Sequence, residues 1–494
     1  MNSPHIVSIN VLDNDSLLNI FYLYRPFFLG EDEDGVNRLL GGRQWHQGRW
    51  WYQPAHVCQR WRNLILGSAS YLRLSLVCTN CTPIKNMLAH SPPLPLTVDY
   101  IGEDGITAED EEAILLALEQ RHRVRHLRLA FPVQNLRKLV MAINEEFPIL
   151  EYLILDTPSK DRMALMLPET LQAPNLHHLA LTGFACPIRP RLHPTAASIV
   201  TLSLIINHQS AYFQPNVLIQ WISFIPQLER LAIAFSFPVP NRDVERQLTR
   251  TPITTHITLP NLRLFVFRGV SAYLEAVLCR ITTPRLENLR IRLFKQLTFS
   301  VPLLTQFTNT TENLRFDNAQ ILFNDKEIHV GMSFREAHAD AFFVKVDCVH
   351  LDWQVSSVAQ ISNALSQVLS AVEHLTFRHK VHSQSSEEHN HVDRIQWRDV
   401  LRPFSNVKVL RVEGGLVEEL SLCLRMEGGD VPLELLPELQ ELTYSGSRDT
   451  GDAFTSFINA RQNSNRPVTL VRDASWPKPN PFILSTTCDH VAGK

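Results

Sequence analysis

A chain of 494 residues with 45% apolar, 20% charged and 9% aromatic residues has the composition of a folded protein and not of a disordered one. Its 47 Lys and Arg against 50 Asp and Glu leave a formal charge of −3, which excludes the strong positive field of a general nucleic-acid or membrane-surface binder. Eight scattered cysteines form no compact disulfide framework and point to a reducing compartment, and no run of about 18 apolar residues predicts a membrane span, so an intracellular protein, cytoplasmic or nuclear, is expected.

Residues 1–10 carry no Lys or Arg and no apolar stretch of leader length, so no secretory signal is expected. Asp13-Asn14-Asp15 offers caps ahead of a short amphipathic helix with Leu17, Leu18, Ile20, Phe21 and Leu23. A second helix is predicted over 55–66, with Val57, Trp61 and Leu64 on one face, and the two should pack as a hairpin. Residues 25–53 between them hold Glu31-Asp-Glu-Asp34, Gly41-Gly42, Trp45, Trp50 and Trp51, and read as an inserted loop whose Trp51 and Tyr52 help fill the small core.

The run from Ile9 to Leu23, together with His56-Val57-Cys58-Gln59-Arg60-Trp61-Arg62-Asn63-Leu64, resembles the F-box in the form found in many fungal F-box proteins. Leu17-x-x-Ile20-Phe21 and Val57-Cys58-x-x-Trp61-x-x-Leu64 carry the likeness. Asp13 stands where the family has Pro and Ser16 where an apolar residue is usual, which predicts a weakened helix entry. The resemblance implies that Leu12, Leu17, Leu18, Ile20, Phe21, Val57, Cys58, Trp61 and Leu64 supply the F-box core or contact a Skp-type adaptor of a cullin–RING ubiquitin ligase.

Residues 1–75 are thus an F-box-like helical region, and 76–120 read as a linking or capping segment with a helix over 108–120, capped by Thr107 and with Asp110 at the third position. From 121 to 475 an internal repeat dominates: apolar-x-x-apolar-x-apolar, often led by Pro, as in Pro148-Ile-Leu150, Pro174-Asn-Leu176 and Pro226-Gln-Leu228. Twelve copies begin at 124, 150, 176, 199, 228, 262, 286, 311, 346, 372, 407 and 439, on average about 29 residues apart. The alternating half of the motif is a short strand with one buried face, and helical periodicity at 216–224, 271–280, 355–372 and 453–461 fills the intervals. The spacing resembles that of leucine-rich repeats, without the Asn or Cys that usually follows: after Leu181 comes Thr-Gly-Phe, and after Tyr444 comes Ser-Gly-Ser. The expected fold class is therefore α/β, a short helical F-box-like region followed by an irregular leucine-rich-repeat-like β/α solenoid, a horseshoe, with 476–494 as a C-terminal tail.

No phosphate-binding glycine loop and no nucleophile elbow occurs, and no cofactor or catalytic residue is expected. Cys78-Thr-Asn-Cys81 has zinc-knuckle spacing but no second pair follows, so no metal site is expected there. His374, His379, His382, His389 and His391 flank the polar run Ser383–Glu388, which reads as a solvated insertion, and His122 and His126 do not share a helix. What the F-box resemblance implies is a non-enzymatic substrate receptor that presents a protein to the ligase, with no nucleic acid or membrane partner. The alternative is a solenoid interaction scaffold whose degenerate F-box does not engage the ligase. The outward residue between the last two apolar positions of each copy should line the concave side, where Arg128, Arg290, Arg315, His350 and Arg411 would meet a protein substrate, acidic or phosphorylated, with Arg290 and Arg315 supplied by neighbouring repeats.

Overall fold

Strand residues that alternate between apolar and polar place one row against helices and leave the next row on the helix-free face, and this alternation organises the whole chain. The computed structural model describes residues 12–25, 48–80, 82–157, 163–185, 196–237, 256–294, 301–311, 313–314, 316–334, 341–380, 394–425, 435–445 and 453–472. Met1–Tyr212 and Phe213–Lys494 form two compact units.

The first unit begins with helices α1 (Asn14–Tyr24), α2 (Tyr52–Val57) and α3 (Gln59–Gly67). Six parallel strands then pair in chain order: β1 (Leu76–Thr79), β2 (Leu96–Ile101), β3 (Val124–Ala130), β4 (Tyr152–Asp156), β5 (His178–Thr182) and β6 (Thr201–Ile206). Residues 76–120 therefore carry two strands of the sheet. Between strands run α4 (Ile84–His90), α5 (Ala108–Glu119) and α6 (Val133–Ala142). Thr107 caps α5 as the sequence predicts, its Oγ1 accepting from the Asp110 N–H at 3.1 Å. In register across the sheet, Val98, Leu127, Leu153, Leu179 and Leu202 are all buried, the row that each repeat contributes to a shared core. Each such side chain is worth roughly 1.5–3 kcal/mol of burial.

The turn after β6 corrects the expectation of a missing asparagine. Asn207 is the third residue after Leu204, and its Nδ2 donates to the Thr157 carbonyl at 2.8 Å, two strands away. It reaches that far because the intervening residue is Gly183, at φ 75°, with no side chain in the way. Thr157 in turn donates through Oγ1 to the Thr182 carbonyl at 3.0 Å, so one asparagine, one threonine and one glycine satisfy the carbonyls that a full ladder of asparagines would serve.

The second unit runs α7 (Pro215–Ile222), β7 (Arg230–Phe235), β8 (Ile257–Thr258), β9 (Leu264–Gly269), α8 (Ser271–Leu278), β10 (Ile281–Thr282), β11 (Asn288–Leu293) and α9 (Pro302–Thr310). It continues with β12 (Asn318–Asn324), β13 (Glu327–Ser333), β14 (Phe342–Asp347), α10 (Leu351–Ala364), α11 (Ser366–Leu369), β15 (His374–Lys380), α12 (Arg394–Leu401), β16 (Val409–Val412), α13 (Val417–Leu424), β17 (Glu441–Tyr444), α14 (Thr455–Asn463) and β18 (Thr469–Arg472). Its main sheet has the order β7-β9-β11-β14-β13-β12-β15-β16-β17-β18, and β8 pairs with β10 apart from it. All main-sheet neighbours are parallel except β14 with β13 and β13 with β12. Glu275 ties two repeats together: its carboxylate accepts from the Leu303 and Leu304 N–H groups at 2.8 and 2.9 Å, capping α9.

That antiparallel insertion overturns two of the twelve predicted copies. The copy at Thr311 forms no strand among its described residues: Thr311 ends α9, and the next strand opens only at Asn318. The copy at Val346 is out of phase, since Val346 lies at the end of β14 with only Asp347 after it, Val349 is exposed, and Leu351 already begins α10. The cause is a two-residue turn at Asp325-Lys326, where the Asp325 N–H bonds to Asn324 Oδ1 at 2.7 Å and folds β12 back on β13. The other ten copies each supply a strand, and the helix predicted over 355–372 is divided at Leu365.

Candidate interaction surfaces

The helix entry that the sequence marks as weak is well capped. Asp13 Oδ1 accepts from the Ser16 N–H at 2.7 Å and its Oδ2 from the Ser16 hydroxyl at 3.2 Å, so the two departures from the F-box pattern form the cap together. That hydrogen bonding from Ser16 holds the Asp13 carboxyl below its ordinary pKa. Leu17 and Phe21 are buried, and Phe21 meets Trp61 of α3 edge-on with ring centroids 5.0 Å apart. Arg60 donates to the Leu12 carbonyl at 2.6 Å and to Asn14 Oδ1 at 2.9 Å, fixing the start of α1 against α3.

The single helix expected over 55–66 is broken at Cys58, whose backbone is extended at φ −158° and whose Sγ receives the Trp61 N–H at 3.5 Å. Val57 is therefore turned away from the face of Trp61 and Leu64 and is 61% exposed. Leu12, Leu18, Cys58, Trp61 and Leu64 are half-buried, and Ile20 is exposed. Leu23, Tyr24 and Tyr71 are exposed apolar residues outside the predicted set. Ile20, Leu23 and Tyr24 follow i, i+3, i+4 spacing along the flank of α1 beside Leu17 and Phe21, with Tyr24 meeting Trp50 edge-on at 6.2 Å, a pattern readable in the sequence once the buried stripe is known. Trp51 is buried and donates Nε1–H to the Ser75 carbonyl at 3.1 Å, while Arg49 reaches the Val77 carbonyl at 3.3 Å. The helices are thereby anchored on the chain that enters β1.

On the helix-free face the predicted row is only partly continuous. Asp99, Arg128, Ile154, Ala180 and Ser203 stand in register in the first unit. Arg128 lies 3.9 Å from the buried Asp99 carboxylate, which makes it an internal counter-charge and not an open contact. In the second unit Arg290 sits between Val266 and Phe343, and Arg315 lies outside the described residues. His350 is off the sheet, as the N-cap of α10, and Arg411 lies between Thr376 and Thr443. Within the second unit, Arg290, His350 and Arg411 are thus not strand neighbours.

The structure gathers others. Arg268, Arg292, Lys345 and His329 stand in register on β9, β11, β14 and β13, with Asp347 and Glu327 in register at the ends of β14 and β13. Arg292 pairs with Asp347 at 2.9 Å and with Glu327 at 3.8 Å, and Glu327 also holds Lys345 at 2.5 Å and His329 at 2.7 Å. Burial opposes ionisation of Glu327, but hydrogen bonds and charge from His329 and Lys345 outweigh it and bring its pKa down to about 2. Arg268 also lies over the Phe294 ring at 5.7 Å. The missed signal was the second outward position of each strand, as in Arg290-x-Arg292.

The remaining candidates carry no site. Cys78 is buried in β1 with its thiol pushed up to about 12 by that burial, and Cys81 lies outside the described residues. Burial, with Arg125 and Arg73 nearby, drives the His126 pKa down to about 3, and its ring meets Tyr152 edge-on while Tyr152 stacks on His178. His374 and His379 lie in β15, and His382, His389, His391 and the run 383–388 fall outside the described residues. Among the described residues no three His, Cys, Asp or Glu side chains cluster as metal ligands, and no helix is long and apolar enough to cross a membrane.

No family model matches the chain, and no curated protein matches it. Among solved structures it is similar to the leucine-rich repeat-containing protein LegL7 from Legionella pneumophila, at 10% identity and a TM-score of 0.27, over 72% of this chain and 97% of that one.

Proposed function

We propose that this chain is a non-catalytic receptor in which α1–α3 dock a Skp-type adaptor of a cullin–RING ubiquitin ligase and the helix-free face of the repeats holds a protein substrate. The observation that carries the proposal is the exposed apolar flank of α1. One stripe, Leu17 and Phe21, is locked against the rest of the unit, and the other, Ile20, Leu23 and Tyr24, faces solvent on a capped and anchored helix. An apolar stripe at that spacing on a rigid helix is what a helix-in-groove contact uses, with a few anchors supplying most of the energy. The covalent chemistry would belong to other subunits, and this chain would contribute position and local concentration.

Pull-down of the purified adaptor by the full chain tests the proposal. Capture that an Ile20→Ala, Leu23→Ala double variant weakens at unchanged melting temperature is the expected result. No capture by the wild-type chain would reject the ligase role and leave the scaffold reading.

A further inference from the structure

Of the residues that the sequence offers to a protein substrate, the structure leaves Arg411 open. Arg128 stands beside the buried Asp99, His350 is the N-cap residue of α10 with its ring against Trp353, Arg290 is engaged by partners of its own, and Arg315 lies outside the described residues. Arg411 is exposed and, among the described residues, makes no ion pair and no side-chain hydrogen bond. Its setting follows from the strand pattern. Leu410 and Val412 on either side of it are fully buried, so alternation turns Arg411 to the helix-free face, in register between Thr376 of β15 and Thr443 of β17. The two threonines differ. Thr443 is buried and its hydroxyl donates to Glu441 Oε1 at 2.9 Å, whereas the Thr376 hydroxyl has no hydrogen-bond partner among the described residues.

We propose that Arg411 and Thr376 form a seat for one aspartate or glutamate side chain of the bound protein. A guanidinium fork pairs with a carboxylate through two parallel hydrogen bonds, and neighbouring strands lie about 4.8 Å apart, so the Thr376 hydroxyl can add a third donor to the same group. The Thr443 side is closed to an anion by Glu441. The surroundings also select a carboxylate over a phosphate. Glu441 stands opposite Val409, two residues before Arg411, and Glu413 lies two residues after it, paired with Arg378 at 3.4 Å. Arg378 is thereby spent on Glu413, and no second cation reinforces Arg411. A phosphorylated side chain would bring about −1.5 to −2 up against these two carboxylates, while an aspartate or glutamate brings a single charge, the amount that Arg411 alone offsets. This inference rests on the reading that the repeat face holds a protein, but it does not depend on the adaptor.

The test selects phage-displayed random short peptides on the full wild-type chain and discards those that the Arg411→Gln chain also retains. The remaining peptides should share an Asp or Glu at one position. With synthetic copies in calorimetric titrations, replacing that acid by its amide should weaken binding about tenfold, and Arg411→Gln should do the same. The two losses should not add, because each removes the same pair. Arg411→Lys, which keeps the charge without the fork, should still lose several-fold, and Thr376→Val about threefold. If Thr376→Val lowers the melting temperature, Thr376→Ser decides, since the retained hydroxyl should restore binding. Arg402→Gln, an exposed cation just after α12, should change nothing. No Arg411-dependent peptides, no shared acid, or additive losses would overturn the seat. Phosphoserine at the shared position binding more than about threefold tighter than the acid would make this a phosphate site and overturn the assignment as well. Adaptor capture by Arg411→Gln should equal that of the wild type. If the wild-type chain captures no adaptor while the peptides still depend on Arg411, the ligase role fails and the seat stands.

Discussion

Replacing Gly183 by Ala attacks the turn that stands in for the asparagine ladder. A Cβ at this position would overlap Thr157 Oγ1 and come within 2.9 Å of Asn207 Oδ1, so both side chains must move. The left-handed backbone at φ 75° adds about 1–2 kcal/mol for any residue with a Cβ. Displacing Asn207 leaves the Thr157 carbonyl without that donor, at about 1 kcal/mol, while the Thr182 carbonyl loses the Thr157 hydroxyl but keeps the Thr157 N–H at 3.2 Å. The sum is a loss of about 2–3 kcal/mol, large against the marginal stability of a folded unit. Urea unfolding followed by far-ultraviolet circular dichroism should show a lower midpoint at unchanged slope. The double variant with Thr157→Ala isolates the cause. Removing the struck hydroxyl should relieve part of the strain, making the pair less harmful than the sum of the singles. A loss below about 1 kcal/mol for Gly183→Ala, or additivity within about 0.5 kcal/mol, would refute the reasoning.

Phe21→Ala should cost about 3–5 kcal/mol through the lost contact with Trp61, whereas Ile20→Ala should change stability by less than about 0.5 kcal/mol, both read by chemical denaturation. Glu327 has its folded pKa depressed to about 2 from 4.5, so its contribution to stability is complete above about pH 4.5 and is lost as pH falls toward 2. The stability gap between wild type and Glu327→Gln, measured by denaturation across that window, should close at the acid end. Cys78 should resist alkylation at about pH 8 in the folded chain and react after urea unfolding, as a buried thiol with a raised pKa must. Arg461→Ala should cost about 3 kcal/mol by melting, because the buried guanidinium donates to the Pro437 and Leu439 carbonyls at 3.0 and 3.1 Å and both would be orphaned.

Much of the architecture lies in local patterns that fold the same way wherever they occur. The ten repeat copies that form strands do so because alternation decides which face of a strand is apolar, and Thr107 and Asp13 cap their helices because a side-chain oxygen there reaches an N–H three residues on. Local pattern also leaves α1 an apolar flank, Ile20, Leu23 and Tyr24, beside its buried stripe. What the sequence could not decide was pairing between distant segments. Whether β12 continues the parallel array or turns back on β13 depends on which partners are available, and that choice placed Phe343 next to Arg290. The break at Cys58 likewise follows from anchoring both helices at once, Trp61 to Phe21 and Trp51 to Ser75, which a helix running straight through 55–66 was not predicted to do. The charged grid exists only in the folded sheet. Its members come from strands up to about eighty residues apart, and register, set by the buried apolar rows, is what brings Arg268, Arg292, Lys345 and Glu327 within reach of one another.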